Sequence, residues 1–367
     1  MPPSLRHTVP IAVAALVAGL GQPPPALASP GPTLPRAAAT HATPEFAATG
    51  PPTTVALTPG RVRTTLHDVD TGQAVRGCLS LVPVDRDRLT VVSLGEEQAG
   101  RHGGCTGVDG GDLVATDVPP GQYHLLARPY DSERYGWQWV GRHGGTGQRE
   151  RGVALQVRPG RTVTAPPVRL DPPGTITGRV TRAAGGTPVS GGHVLALPAI
   201  PHPKYDDHGA ITDDDGRYTL TGLGPYRWPL HFTGHGLASQ WSGGTADRTQ
   251  ARPARVRAGA TATFDQELVA GTVVSGTVTV AQLPHYSQVI AFHARTGDAV
   301  GVGELGADYT MRLLPGQRVV LRCDCAYAPS RWFPNAAEIA GARPIRVRHR
   351  PVTADFDLTG PGSAPPT

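Results

Sequence analysis

Five tryptophans, four cysteines and a run of three aspartates are the side chains of this sequence best suited to chemistry. Trp137 and Trp139 lie two positions apart, so strand alternation puts them on one face. Trp241 and Trp332 recur at matching places further along the chain, and Trp228 follows a turn. A row of indoles can stack sugar rings. It can equally cap a hydrophobic core, because each ring brings a large apolar area and one polar handle. Recurrence once per repeat favours packing. The ligand candidates are Trp137, Trp139, Trp228, Trp241 and Trp332, with Trp137 foremost because no other repeat carries a second Trp there.

The cysteines are even in number, which in an exported chain points to disulfides. Cys78 and Cys105 are expected to pair and to tether a Gly-rich insertion. Cys323 and Cys325 share one strand face with Cα atoms near the upper limit for a bridge, so the expectation is a strained disulfide. A reduced pair and an interchain link stay open. A metal site there would lack a second ligand pair at standard spacing. Asp213, Asp214 and Asp215 resemble the start of a calcium loop, but the Glu that closes an EF-hand is missing. A hairpin turn is the expectation. The stretch from His202 to His208 mixes metal-capable groups and reads as an exposed polar loop. No Gly-x-Ser-x-Gly elbow, His-Glu-x-x-His pair, phosphate loop or dinucleotide fingerprint is present. The reading is a non-enzyme without cofactor or metal.

These residues must be held by something, and the chain begins with an export signal. Arg6 precedes an uncharged run from Val9 to Gly21, shorter than the roughly 20 apolar residues of a membrane span. Ala26-Leu27-Ala28 then fits a signal-peptidase site, with cleavage expected between Ala28 and Ser29. Neither a lipid-attachment Cys nor a second apolar segment follows, so the sequence predicts a secreted protein without a membrane anchor. Gly (47) and Pro (38) are too frequent for long helices. The net charge of +5 is spread along the chain and has no block longer than RVRHR at Arg346–Arg350, which speaks against nucleic acid as a partner.

Residues 29–59 are rich in Pro, Ala and Thr and read as a linker. From residue 60 one layout recurs three times. Each unit opens with an alternating strand (RVRTTL, TITGRVT, TVVSGTVTV) and continues with a second (CLSLV, HVLAL, QVIAFH). A Gly or Asp turn into a third strand follows, then a tight turn such as Pro120-Gly121 or Pro315-Gly316, a Trp, and a closing strand ending in Leu170, Leu268 or Leu358. Short period-two strands between regular turns predict an all-β chain: a tandem array of three antiparallel β-sandwich domains of about 100 residues each. The expected divisions are a signal peptide (1–28), a linker (29–59), sandwiches at 60–172, 173–271 and 272–360, and a tail (361–367).

The middle unit carries Gly174 followed by TITGRV, TPVSGGHV from Thr187, TDDDGRYTLTGL from Thr212, and VRAGATATFD from Val256. This stretch resembles the carboxypeptidase regulatory-like domain, a transthyretin (prealbumin)-like sandwich grouped with the carbohydrate-binding-like, starch-binding-like fold. The third unit is similar but lacks the Asp-Asp-Gly turn, and the first is looser, with an insertion around Arg86–Gly111. The name implies no peptidase activity, since no peptidase domain accompanies it. A glycosidase barrel of roughly 250 residues has no room here either, so any link to glycan hydrolysis would be accessory. Two functions fit: a secreted module binding glycan or another extracellular polymer, and a monomeric structural or adhesive spacer presenting a domain to an extracellular protein.

Overall fold

The computed structural model of the chain describes residues 58–84, 103–105, 112–196, 209–280, 287–304, 308–324 and 330–359. The expected signal peptide with its Ala28–Ser29 cleavage point, the linker up to residue 57, the loop from His202 to His208, Cys325 and the tail lie outside the described residues.

The opening strand Gly60–Asp68 alternates strictly. Val62, Thr64 and Leu66 point inward while Arg61, Arg63 and Thr65 do not. Its apolar face packs on Leu79, Leu81, Leu125 and Ala127 of the facing sheet, giving one dry core between two layers. The layers are Val168–Leu170, Gly60–Asp68 and Asp112–Val118 on one side, and Gly103–Cys105, Gly77–Pro83, Gly121–Pro129, Gln138–Val140 and Gly145–Thr146 on the other. Ala154–Val157 adds to the second layer beside Gly121–Pro129. The middle sandwich repeats the plan around Gly174–Arg182, and the third around Thr272–Thr279. The chain is therefore all-β, in several sheets, as the two-residue periodicity predicts.

One detail goes beyond that periodicity. In each sandwich the closing segment runs parallel to the opening strand and pairs with it twice, on either side of a break in the pairing. The break leaves a carbonyl outside the ladder, and each repeat supplies a hydroxyl for it. Tyr218 donates to the Phe264 carbonyl at 2.7 Å and Tyr309 to the Ala354 carbonyl at 2.6 Å. Each tyrosine sits opposite a glycine in register, Gly178 and Gly276, where a Cβ would collide with that same carbonyl. The first sandwich solves the problem differently. Its opening strand has Thr64 at this place, opposite Leu113, and the threonine hydroxyl itself donates to the Pro166 carbonyl at 2.7 Å. Buried carbonyls need such partners. At the break, Asp265 and Asp355 accept the backbone N–H groups of Arg179 and Thr277 at 2.8 and 2.9 Å.

The sandwiches do not hang as beads. Leu126, Trp137 and Trp139 of the first belong to the same apolar cluster as Leu223, Trp228 and Leu230 of the second. Trp137 donates its backbone N–H to the Gly222 carbonyl and accepts from Gly224 N–H, both at 2.9 Å. Tyr226 donates its hydroxyl to the Asp171 carboxylate, and burial followed by this bond pushes its pKa up. A buried charge cluster draws in the third sandwich. Nε of Arg248 lies 3.2 and 3.0 Å from the two carboxylate oxygens of Asp298, and both side chains are only 2% exposed. Arg248 also binds Glu150 of the first sandwich, and Arg149 stands 3.8 Å from Asp298. Arg295 and Asp247 complete the cluster at its rim.

Candidate functional site

All five candidate tryptophans, Trp137, Trp139, Trp228, Trp241 and Trp332, are buried. Trp228, Trp241 and Trp139 are among the largest fully enclosed side chains, and Trp137 and Trp332 are 6% and 7% exposed. An indole sunk this deep cannot offer a free face to a sugar. Trp228 donates to the Gly224 carbonyl at 2.8 Å. Arginines lie over the outer faces of the other units' rings, Arg248 on Trp241 at 5.7 Å and Arg322 on Trp332 at 5.5 Å. Trp137, the foremost ligand candidate, is closed in by Arg128 at 5.5 Å and by the second sandwich, whose packing no single-strand pattern reveals.

The aspartate run does serve a turn. Oδ1 of Asp213 accepts from the backbone N–H groups of Asp215 and Arg217 at 3.0 and 2.7 Å, and Gly216 takes the φ of 74° that closes the hairpin. Asp214 accepts from the Ser190 hydroxyl at 2.9 Å. These carboxylate oxygens are engaged by the chain itself. Cys78 stands directly opposite Cys105 in the antiparallel register between Gly77–Pro83 and Gly103–Cys105. The Gly-rich insertion is thus partly a strand. Cys323 is buried in the third core.

What the sequence did not single out is a cleft of about 830 Å³ walled by the first and second sandwiches. From the first come Arg142 and His143, on the hairpin between Gln138–Val140 and Gly145–Thr146, and Arg151 at the end of the short turn Arg149–Arg151. From the second come Arg227, Arg255 and Arg257. Five arginines face a single lining carboxylate, Glu150, which Arg248 already engages. Among the described residues, none of the five forms an ion pair, a side-chain hydrogen bond or a ring contact, and all are exposed.

Local folding explains why they converge. Arg227–Trp228 pairs antiparallel with Ala254–Arg255, which places Arg227 directly opposite Arg255. Trp228 and Ala254 turn into the core, so the arginines turn out. Val256 is buried as well, and alternation returns Arg257 to the face of Arg255. Like charges directly opposite across a strand pair are destabilising. Among the described residues, neither Arg227 nor Arg255 forms an ion pair that would relieve it. Planar guanidiniums held this way match carboxylate and phosphate oxygens bidentately. The six residues span positions 142 to 257, and none belongs to a contiguous basic run, so charge blocks along the sequence carried no signal for them.

Residues 175–269, which supply one wall of this cleft and most of its supporting core, match the model of the carboxypeptidase regulatory-like domain. The match covers the middle sandwich, about a quarter of the chain. No curated protein matches the chain. Among solved structures the chain is similar to the Bacillus anthracis TIE protein, at 11% identity over 82% of this chain and 51% of that one, with a TM-score of 0.21. It thus spans about half the length of that protein. It is also similar to GBS52, the minor pilin of Streptococcus agalactiae (14% identity, 61% of this chain and 99% of that one, TM-score 0.25). A further likeness is to BcpA, the major pilin subunit of Bacillus cereus (9% identity, 81% and 99%, TM-score 0.18). Superposition scores of this size carry no argument, and the fold rests on the strand pairing itself. In the regulatory-like domain the cleft residues lie at the edge turned to the first sandwich, away from the Asp213–Gly216 hairpin.

Proposed function

We propose that this chain is a secreted, non-catalytic binding protein for an extracellular polymer, with the cleft between the first sandwich and the regulatory-like domain as its binding surface. The observation that carries this reading is the cleft itself, a concave site of about 830 Å³ in the size range of ligand sites, lined by five exposed arginines that form no ion pair or side-chain hydrogen bond among the described residues. The export signal read at Ala28 and Ser29 supports the compartment. So does the register of Cys78 and Cys105, which suits a disulfide across neighbouring strands. Among the described residues, no helix is long and apolar enough to cross a membrane. The shared core and buried charges give the cleft fixed walls, which lowers the ordering cost of binding. The test is a pull-down of the purified mature protein on a panel of insoluble polysaccharides and cell-wall fractions. Retention on at least one above a β-sandwich control is expected, and background retention on all of them would overturn the reading.

A second reading, an adhesive spacer presenting a domain to a protein partner, is favoured by the Arg248–Asp298 junction. A permanently locked array needs such an anchor. It predicts capture of one discrete extracellular protein and no retention on polysaccharide.

A further inference from the structure

We propose that the cleft recognises an anionic glycan chain, through acid groups spaced along the polymer, and discriminates against neutral glycans. This rests on the polymer-binding reading above and adds the ligand's chemistry. The lining is one-signed: Arg142, Arg151, Arg227, Arg255 and Arg257 against Glu150 alone, whose charge Arg248 already offsets. The exposed tryptophan platform that a neutral-sugar site would use is absent among the described residues, because the indoles are buried. Arg227 and Arg255 stand directly opposite each other, as Arg179 and Arg217, and Arg318 and Arg346, also do; what sets this pair apart is that Arg142, Arg151 and Arg257 line the same cleft. Strand pairing alone would favour an acid or a neutral residue opposite an arginine. The register sets two exposed arginines opposite each other, with Arg257 next along the same face, so three guanidinium forks stand within reach of one bound anionic chain. The first sandwich closes the other wall with Arg142 and Arg151, so acid groups on two sides of a polymer chain would each meet a cation. Arginine offers its bidentate fork to carboxylate and phosphate alike, so the shared chemistry is an acidic repeat.

The experiment measures binding of the full mature protein to three probes by titration calorimetry: polygalacturonate, phosphomannan, and neutral pullulan. Polygalacturonate and phosphomannan separate the carboxylate and phosphate sources. Binding to one of them, weakened by added salt, with none to pullulan, is expected. The double variant R227Q/R255Q removes two charges from the site, and R346Q/R348Q removes two from exposed positions of the third sandwich. The first should weaken binding by roughly tenfold or more, the second by less than about twofold. R227Q/R255Q should melt no lower than wild type, because it relieves a repulsion, so lost binding would not reflect lost folding. Equal weakening by both pairs would reduce the site to bulk charge and overturn the proposal. Binding only to pullulan would overturn it while leaving the polymer-binding function standing. Retention of no polymer at all would remove both. Binding of a mixed-sequence DNA duplex as tight as that of the acidic glycans would overturn the glycan assignment.

Discussion

Arg248 offers the most direct test of how the sandwiches are held together. Replacing it with Met keeps much of the aliphatic length but leaves the Asp298 carboxylate, 2% exposed, without its main partner. Breaking a buried pair by removing one side costs about 3 to 5 kcal/mol, because the remaining charge stays desolvated. Here Arg149 still stands 3.8 Å from Asp298, so the lower end applies, about 3 kcal/mol. The partly exposed Glu150 adds little, since it can turn to water. Urea melts suit the measurement because urea, unlike guanidinium, does not screen charge. R248M should lower stability by about that amount, and R248M/D298L should recover most of it, because a hydrophobic replacement of a whole buried pair is often neutral. An R248M midpoint within error of wild type would refute the junction. So would a double variant as unstable as the single, which would mean that the loss came from packing on Trp241 and not from the stranded charge.

Acid should weaken the protein through His231. Burial holds its pKa down to about 4 against the ordinary 6.5, with nearby Asp298 pulling the other way. Between those values the unfolded chain binds the extra proton, so stability is full above about 6.5 and falls as the pH drops towards 4, by roughly 3 kcal/mol at most. Urea midpoints measured every half unit should show this slope in wild type and a flatter one in H231F; parallel slopes would exclude His231 as the cause. Y218F should cost about 1 to 3 kcal/mol in chemical denaturation by stranding the Phe264 carbonyl, while G178A should cost more because backbone must move. W228A should lose about 3 to 5 kcal/mol of stability by thermal or urea melt, a cost no surface ligand contact would carry. C78S or C105S should each destabilise by about 3 to 4 kcal/mol if the two bridge, and wild type treated with a reductant should match them.

Much of the fold was legible in the chain. Val62, Thr64 and Leu66 announce a one-faced strand by alternation alone, and Asp213 to Gly216 announce a hairpin because the chemistry of that turn is local. The parallel return of the closing strand was not legible. Alternation gives a strand its faces but not its direction, and Gly178 with Tyr218 gains meaning only once Phe264 lies beside them. The tryptophans show the same limit. Trp137 reads as a surplus aromatic in its own repeat, yet the neighbouring sandwich covers it.

The cleft lay furthest from view. Arg142, Arg151, Arg227, Arg255 and Arg257 are ordinary residues of an arginine-rich chain when taken in order. They converge because one strand pair sets Arg227 against Arg255 and because Trp137 and Trp139 dock the first sandwich on the second. By itself, then, the sequence determined the all-β repeats and their turns, along with a regulatory-like middle unit, since each depends on contacts within one short stretch of chain. Which indoles are covered, which charges are buried together and which stand unpaired in a cleft was decided only by tertiary structure, because those properties belong to pairs of residues a hundred positions apart.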